Sequence, residues 1–428
     1  MKRYSEYKDS GVKWIGEIPE HWKCTRIKFI ANLYGRIGFR GYNSKDLNKD
    51  GIGAITLSPL NMKDMMMDYT NVTYLSWEKY NESPEIMIQQ GDILFVKTGS
   101  SYGKSCYVDN LPQEATINPQ ILRINPLING RFLCYYFNSS LARTFTECGV
   151  VGGTIPTISQ EKVGNFIALN PPLPEQQAIV TYLDTKVAKI DEYISIAEKK
   201  IAALEELKQT IIAEAVTRGI HKEVPMKDSG VKWIGMIPEH WKVHKIRSHF
   251  KERRVKVSDK DFQALSVAKI GIVPQLEDAC KTDNGDNRKQ VLKGDFVVNS
   301  RSDRKGSCGI SPLDGSVSLI NIVLRPFNIL QEYVHYLFRS HNYIEEFYRN
   351  GRGIVADLWT TRYSEMRNIQ IPVPPLSEQQ EIVTYIEAKV ANINQLCQAE
   401  RSQIEKLKEY KQRLISDVVT GKVKVTND

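Results

Sequence analysis

Three short segments carry residue types at spacings that approach known chemistry. Gly99, Gly103, Lys104 and Ser105 approach a phosphate-binding loop, in which backbone N–H groups and a lysine cradle a nucleotide. The loop is one residue too short, and the strand-like Cys106-Tyr107-Val108 follows where a helix is needed. Asn170-Pro171-Pro172-Leu173 approaches the tetrapeptide of amino-methyltransferases, whose fourth residue must be aromatic to stack on a flipped base. Leu173 cannot do so, and the related Val373-Pro374-Pro375-Leu376 lacks the asparagine as well. These prolines fit better as the end of a strand and the start of a helix. His21 and His240 sit in two near-identical segments, which suits packing or capping better than a lone catalytic base. No carboxylate cluster beside a lysine marks a nuclease. Cys24, Cys106, Cys134, Cys148, Cys280, Cys308 and Cys397 form no C-x-x-C pair and have no adjacent histidines, so they read as reduced thiols rather than metal ligands. Catalytic and metal sites are therefore not expected, and recognition is what remains.

The residues suited to recognition are basic and aromatic. The net charge of +8 permits a polyanionic partner without proving one. Its distribution says more: Lys245, Arg247, Lys251, Arg253, Arg254 and Lys256 crowd one segment, opposed only by Glu252. A turn and buried strand at Gly91–Val96 recurs at Gly294–Val298. Donor-rich loops follow both, at 97–104 and at 299–306. A second pair of loops precedes the helical regions, at Gly149–Thr154 and at Arg349–Gly353 with Trp359–Arg362. Arginine and lysine donate to guanine and asparagine pairs with adenine, so such loops suit base reading; ordinary surface turns would look the same. The candidate DNA contacts are Arg36, Arg40, Lys97, Ser100, Tyr102, Lys104, Lys251, Arg253, Arg254, Arg301, Arg304, Lys305, Arg352, Trp359 and Arg362.

What must position these loops is a duplicated scaffold. Lys8–Trp22 (KDSGVKWIGEIPEHW) returns at Lys227–Trp241, differing only where Glu17 becomes Met236. Pro171–Ile190 (PPLPEQQAIVTYLDTKVAKI) returns as PPLSEQQEIVTYIEAKVANI from Pro374, an offset of 203 (374 − 171). The regions between these blocks show little similarity. Each copy thus reads as a shared opening, a variable body and a shared helix start. Shared blocks answer a demand common to both halves, a scaffold or a partner.

After each proline pair the spacing predicts a long helix, over Glu175–Val216 and Glu378–Val419. Leu183, Val187, Ile190, Ile194, Ile201, Leu204 and Ile211 form a heptad seam. Ile386, Val390, Ile393, Ile404, Leu407 and Leu414 repeat it, and Lys208 and Lys411 interrupt both at the same place. Matched seams with matched breaks point to pairing with each other. A pseudo-two-fold relation would make that pair antiparallel. Pro174 suits a first-turn position, and Ser377 with Gln380 suits a capping box. Single helices are expected near Phe132–Phe145 and Glu332–Tyr348, and strands at Gln120–Ile124 and Leu319–Leu324.

The doubled W-I-G-x-I-P-x-H-W opening (Trp14–Trp22, Trp233–Trp241) and the doubled P-P-L-x-E-Q-Q-x-I-V helix start (Pro171–Val180, Pro374–Val383) resemble the specificity subunit of Type I restriction–modification enzymes, over essentially the whole chain. The resemblance implies an α+β fold, with two globular α/β target-recognition domains separated by two long antiparallel coiled-coil helices in a pseudo-two-fold tandem repeat. The expected division is 1–173 and 221–376 for the recognition domains, with 174–220 and 377–428 for the helices and tail. Each domain would read half of a split site in double-stranded DNA. The resemblance also implies two methyltransferase subunits and restriction/translocase subunits as partners, which would carry S-adenosylmethionine, ATP and magnesium. A standalone methyltransferase or nuclease, and a two-headed scaffold that does not bind DNA, are the competing readings. No segment approaches the roughly 20 apolar residues of a membrane helix and no secretory core opens the chain, so the expected setting is the cytoplasm.

Overall fold

The computed structural model describes residues 2–48, 50–150, 155–221, 223–275, 285–353 and 359–426. Cys280 and residues 151–154 of the first glycine-rich loop lie outside them. The chain divides into two compact units, Met1–Ile196 with Ser402–Asp428, and Ala197–Arg401. Each unit holds one globular body and parts of both long helices.

Each body is built on a four-stranded antiparallel sheet of the same order. In the first unit it runs Ser105–Tyr107, Ile93–Val96, Ile121–Pro126, Ala31–Gly35. In the second it runs Cys308–Ile310, Phe296–Asn299, Asn321–Pro326, Phe250–Glu252. The strand after the repeated Gly-Asp turn is apolar over Ile93–Val96 and over Phe296–Val298 because both of its faces are covered. Side chains alternate across a strand. Ile93 and Phe95 accordingly pack with Phe132, Tyr136 and Phe137 of the helical layer, whereas Leu94 and Val96 pack with Ile55, Leu57 and Ile117 of a second sheet. Phe296 and Val297 face the corresponding two cores in the second unit. The second sheets differ. The first has four strands with one parallel pair, Ala115–Ile117 on Ala54–Leu57. The second has three antiparallel strands, Lys256–Val257, Arg288–Val291 and Gly315–Ser318. The variable part of each copy is this layer and the loops around it.

One charge compensation crosses both core sheets in different ways. The Asp92 and Asp295 carboxylates are buried at equivalent turns. Arg123 holds Asp92 at 2.6 and 3.4 Å, from the strand Ile121–Pro126. Asp295 is held at 2.6 and 3.0 Å by Arg253, which follows the strand Phe250–Glu252. Tyr34 lies opposite Arg123, and the Arg253 N–H donates to the Val323 carbonyl at 2.8 Å. The arginine has changed strands between the copies while the buried carboxylate kept its partner.

The shared blocks meet each other. The Glu175 carboxylate, at the start of the first long helix, accepts from the Tyr4 hydroxyl and from Trp22 Nε1 at 3.0 Å, and lies 2.8 Å from His21 Nε2. Gln176 donates to the Pro171 carbonyl at 2.8 Å and accepts the Asn129 N–H at 3.1 Å, tying the helix start to the body's own helical layer. Glu378 repeats the contact with His240 at 2.8 Å, and Gln379 those with Pro374 and Leu330, both at 2.8 Å. The second copy has Glu223 where the first has Tyr4, and the buried Trp241 Nε1 finds no acceptor. Both histidines, about half exposed, thus meet the same helix-start glutamate in their own copy.

The long helices span Leu173–Arg218 and Leu376–Val419. Their 46 and 44 residues correspond to roughly 65–70 Å of helix. Pro174 lies in the first turn, as expected. Ser377 lies inside the second helix rather than before it, so the expected capping box does not form; the Pro375 carbonyl accepts the Gln379 N–H at 2.9 Å instead. Gly219 and Gly421 end the helices at φ 76° and 73°, where a β-carbon would sit 3.2 Å from Trp241 and Trp22. Of the seam, Leu183, Val187, Ile190, Ile386, Ile393, Ile404 and Leu414 are buried. Ile194, Val390 and Leu407 pack against the cores half-buried, and Ile201, Leu204 and Ile211 are half-buried. Within the second unit Lys200 meets Glu400 at 2.5 Å and Lys208 meets Asn394 at 3.3 Å, so the helices run antiparallel. Within the first, Lys411 meets Asp191 at 2.6 Å. The two interrupting lysines therefore face repeat-equivalent positions, Asn394 and Asp191.

Two expectations are corrected. The single helix near Phe132–Phe145 is two, Gly130–Phe137 and Ser140–Gly149, and that near Glu332–Tyr348 is Gln331–Arg339 and His341–Arg349. Ser139 and Ser340 break them: each hydroxyl donates back to a carbonyl three residues earlier, and Ser139 also caps Ala142. The strands expected from Gln120 and Leu319 begin later, at Ile121 and Asn321, leaving Gln120, Leu319 and Ile320 in turns.

Removing Glu175 strips a buried group that serves three donors, whereas among the described residues Glu378 serves His240 alone. Glu175→Ala is expected to cost about 2–3 kcal/mol and Glu378→Ala about 1 kcal/mol in chemical denaturation; equal losses would contradict this account. A second expectation concerns pH. Burial first, then the Arg339 guanidinium, pushes the His335 imidazole down to about 4. The unfolded chain takes that proton near pH 6.5, so this contribution to stability is present above about 6.5 and lost as pH falls toward 4. His335→Gln should flatten the difference in Tm between pH 7 and pH 4.5, and an unchanged difference would refute it.

Candidate nucleic-acid interface

In the second unit the backbone joins the two loops singled out as readers, and in the first it joins the 97–104 loop to Pro156 and Thr157, just past the expected Gly149–Thr154 loop. Thr98 bridges Thr157 in the first unit, and Arg301 bridges Thr360 in the second. Both pairs are separated by the same offset of 203 (301 − 98, 360 − 157). The Gly99 N–H donates to the Pro156 carbonyl at 3.1 Å and the Ser302 N–H to the Trp359 carbonyl at 2.9 Å. Arg352 adds a third segment through reciprocal hydrogen bonds with Thr360, at 3.2 and 3.0 Å. A turn the sequence reasoning passed over completes each surface. The Lys97 N–H donates to the Gln120 carbonyl at 2.8 Å, and the Ser300 hydroxyl to the Ile320 carbonyl at 2.6 Å. The signal available was the common offset carrying Thr98 and Thr157 onto Arg301 and Thr360.

The second unit presents a basic surface. Arg254, Arg304, Arg352 and Arg362 are exposed, as is the Trp359 ring at 37%. Arg301 lies 3.0 Å from Asp303 and Lys305 3.1 Å from Glu345, both exposed pairs. Such pairs contribute about 0–1 kcal/mol, so a phosphate or base edge can replace the carboxylate at little cost. Exposed Arg352 and Arg254 lie 3.8 Å from Glu365 and 2.6 Å from Glu252, carboxylates that are themselves largely buried. Lys251 is exposed over the Phe327 ring, 5.8 Å from its centre.

Several expected contacts have structural employment instead. Arg36 is buried, and its guanidinium donates to the Ile117 carbonyl at 3.1 and 3.2 Å and to the Thr116 hydroxyl at 3.1 Å. Arg253 is committed to buried Asp295. Lys104 donates to the Met62 carbonyl. Arg40, 3.6 Å from Glu85 in a part-exposed pair, and Lys97, half-buried with its ammonium pushed below its usual range by burial, are not committed in this way. What the first unit offers is more hydroxyl and amide than cation: exposed Ser100, half-buried Tyr102, and Asn118 bonded to Gln120 at 3.2 Å. Among the described residues no group of three His, Cys, Asp or Glu side chains could hold a metal ion.

The family model described as the Type I restriction modification DNA specificity domain matches residues 19–206 and again 240–406. The chain is 25% identical to the putative type I restriction enzyme MjaX specificity subunit of Methanocaldococcus jannaschii, over 98% of each chain. It is 23% identical to the MjaVIII specificity subunit of the same organism, again over 98% of each. Among solved structures, a chain of a type I R-M system superposes with a TM-score of 0.68 at 16% identity, covering 95% of this chain and 99% of that one. The HsdS subunit from Thermoanaerobacter tengcongensis gives 0.51 at 16% identity, over 95% and 98%. These superpositions bear on the fold alone.

The geometry separates surface cations from structural ones by stability. Arg253→Ala leaves a buried carboxylate without its cation and should cost about 3 kcal/mol or more. Arg304→Ala should change stability by less than about 0.5 kcal/mol. Denaturation curves check both, and similar losses would place Arg304 in the fold's framework.

Proposed function

Because the chain belongs to the Type I restriction modification DNA specificity family, we propose that each of its bodies reads one half of a split duplex site, and that the paired helices set the spacing and receive two methyltransferase subunits. As a member of that family it is a DNA-recognition subunit and not the catalytic one. The observation that carries the two-reader proposal is the bridged surface: one backbone frame occurs in both units and presents different side chains in each. A frame held constant under changing donors suits two readers with different targets. The exposed arginines of the second unit suit guanine and phosphate, and the amides and hydroxyls of the first suit adenine.

The partners would supply the chemistry. Methyltransferase subunits would bring S-adenosylmethionine, and restriction/translocase subunits would bring ATP and magnesium. The working complex would act in the cytoplasm, where duplex DNA is its substrate. No helix among the described residues is long and apolar enough to cross a membrane.

The purified chain alone should not methylate DNA. Adding methyltransferase subunits should give adenine methylation at one split sequence, with affinity falling steeply as salt rises. Arg304→Ala should weaken recognition of a single half-site by about 1–3 kcal/mol if the contact is to a base. Methylation by the chain alone would end this reading, and equal loss on all sequences would recast Arg304 as a phosphate contact.

A further inference from the structure

The turn completing the second unit's surface has the wrong chemistry for an ordinary turn. Residues at such tips are usually polar. Leu319 and Ile320 are apolar, adjacent, and each 38% exposed. They are not loose: the Ile320 carbonyl accepts the Ser300 hydroxyl at 2.6 Å, and the neighbouring Asn321 carbonyl accepts the Lys289 ammonium at 2.8 Å. Arg254, Lys289, Arg362 and Ser364 line the same hollow with Glu252, which lies 2.6 Å from Arg254 and 3.6 Å from Lys289, so the rim keeps a net positive charge of three cations to one carboxylate. An exposed apolar tip rimmed by charge marks a contact surface. The basic rim identifies the partner as a polyanion, and the tip must then meet an apolar group on it. In the major groove the thymine C5 methyl is the aliphatic group presented at the base edges.

We infer that Leu319 and Ile320 read the 5-methyl group of a thymine in the half-site recognised by the second unit. The inference rests on the proposed DNA-reading function and adds to it a specific chemical determinant. The equivalent turn of the first unit carries Asn118 and Gln120, whose side chains hydrogen-bond at 3.2 Å. Amides there serve hydrogen bonding, so methyl sensitivity from this turn belongs to one half of the site only.

The test uses the chain assembled with its methyltransferase subunits, on the duplex that methylome sequencing identifies. Each thymine is replaced singly by deoxyuridine, which removes the methyl and leaves the pairing edge intact. At least one replacement, in one half-site, should weaken binding by about fivefold. Leu319→Ser and Ile320→Gln should abolish that difference, so that thymine and uracil bind alike, while recognition of the other half is unchanged. Specific binding with no uracil-sensitive position overturns the inference, as does a sensitivity that survives both substitutions. Failure of the unsubstituted complex to prefer any sequence would fall on the proposed function instead.

Discussion

The carboxylate at the start of each long helix is the contact on which the arrangement of each unit depends. Glu175 gathers Tyr4, His21 and Trp22 from the opening segment, and Gln176 beside it holds the body's helical layer. Opening, body and helix are far apart in sequence, and these two side chains fix all three at one place. The body is thereby free to vary. Its second sheet has four strands with a parallel pair in one copy and three described antiparallel strands in the other, yet in both copies the glutamate and glutamine at the helix start make corresponding hydrogen bonds. The near-identity of the shared blocks fits their contacts: a buried glutamate at the helix start meets a histidine of the opening segment in both copies, and a buried glutamine beside it holds the body. The second copy is looser: it has Glu223 in place of Tyr4, and its Trp241 N–H finds no acceptor among the described residues.

The helices follow the same logic with weaker forces. Apolar seam residues supply the packing, while Lys411 with Asp191 and Lys208 with Asn394 mark repeat-equivalent points. Half-buried ammonium groups need a polar partner in the facing helix. Such contacts add little stability but discriminate between registers, which apolar seams alone do poorly.

The repeat, the long helices and the Gly-Asp turn before the core strand were legible in the sequence, because each leaves a local or periodic trace. The breaks at Ser139 and Ser340 were not, since a serine that caps a new helix reads like one on a helix surface. Burial of cations was also hidden. Arg253 stands in a basic cluster and reads as a surface cation, yet strand pairing turns it onto Asp295. Arg36 is likewise aimed inward at Ile117 by the strand it follows. Arg301 and Arg304 remained at the surface because they lie on a loop whose backbone, not side chains, makes the connections. Charge composition locates a basic segment, but only pairing across strands tells which cations are available.

The exchanged arginine has a consequence for how such a chain can be recombined. Asp92 and Asp295 occupy the same place in the two bodies, but Arg123 comes from a late strand and Arg253 from an early one. A hybrid body taking its early strand from the first copy and its late strand from the second would have Tyr34 and Val323 around the carboxylate, with no cation at all. The reverse hybrid would crowd two arginines onto one aspartate. An exchange within the shared blocks keeps the same contacts whichever copy supplies them, whereas an exchange inside a body uncouples its early and late strands at a buried ion pair.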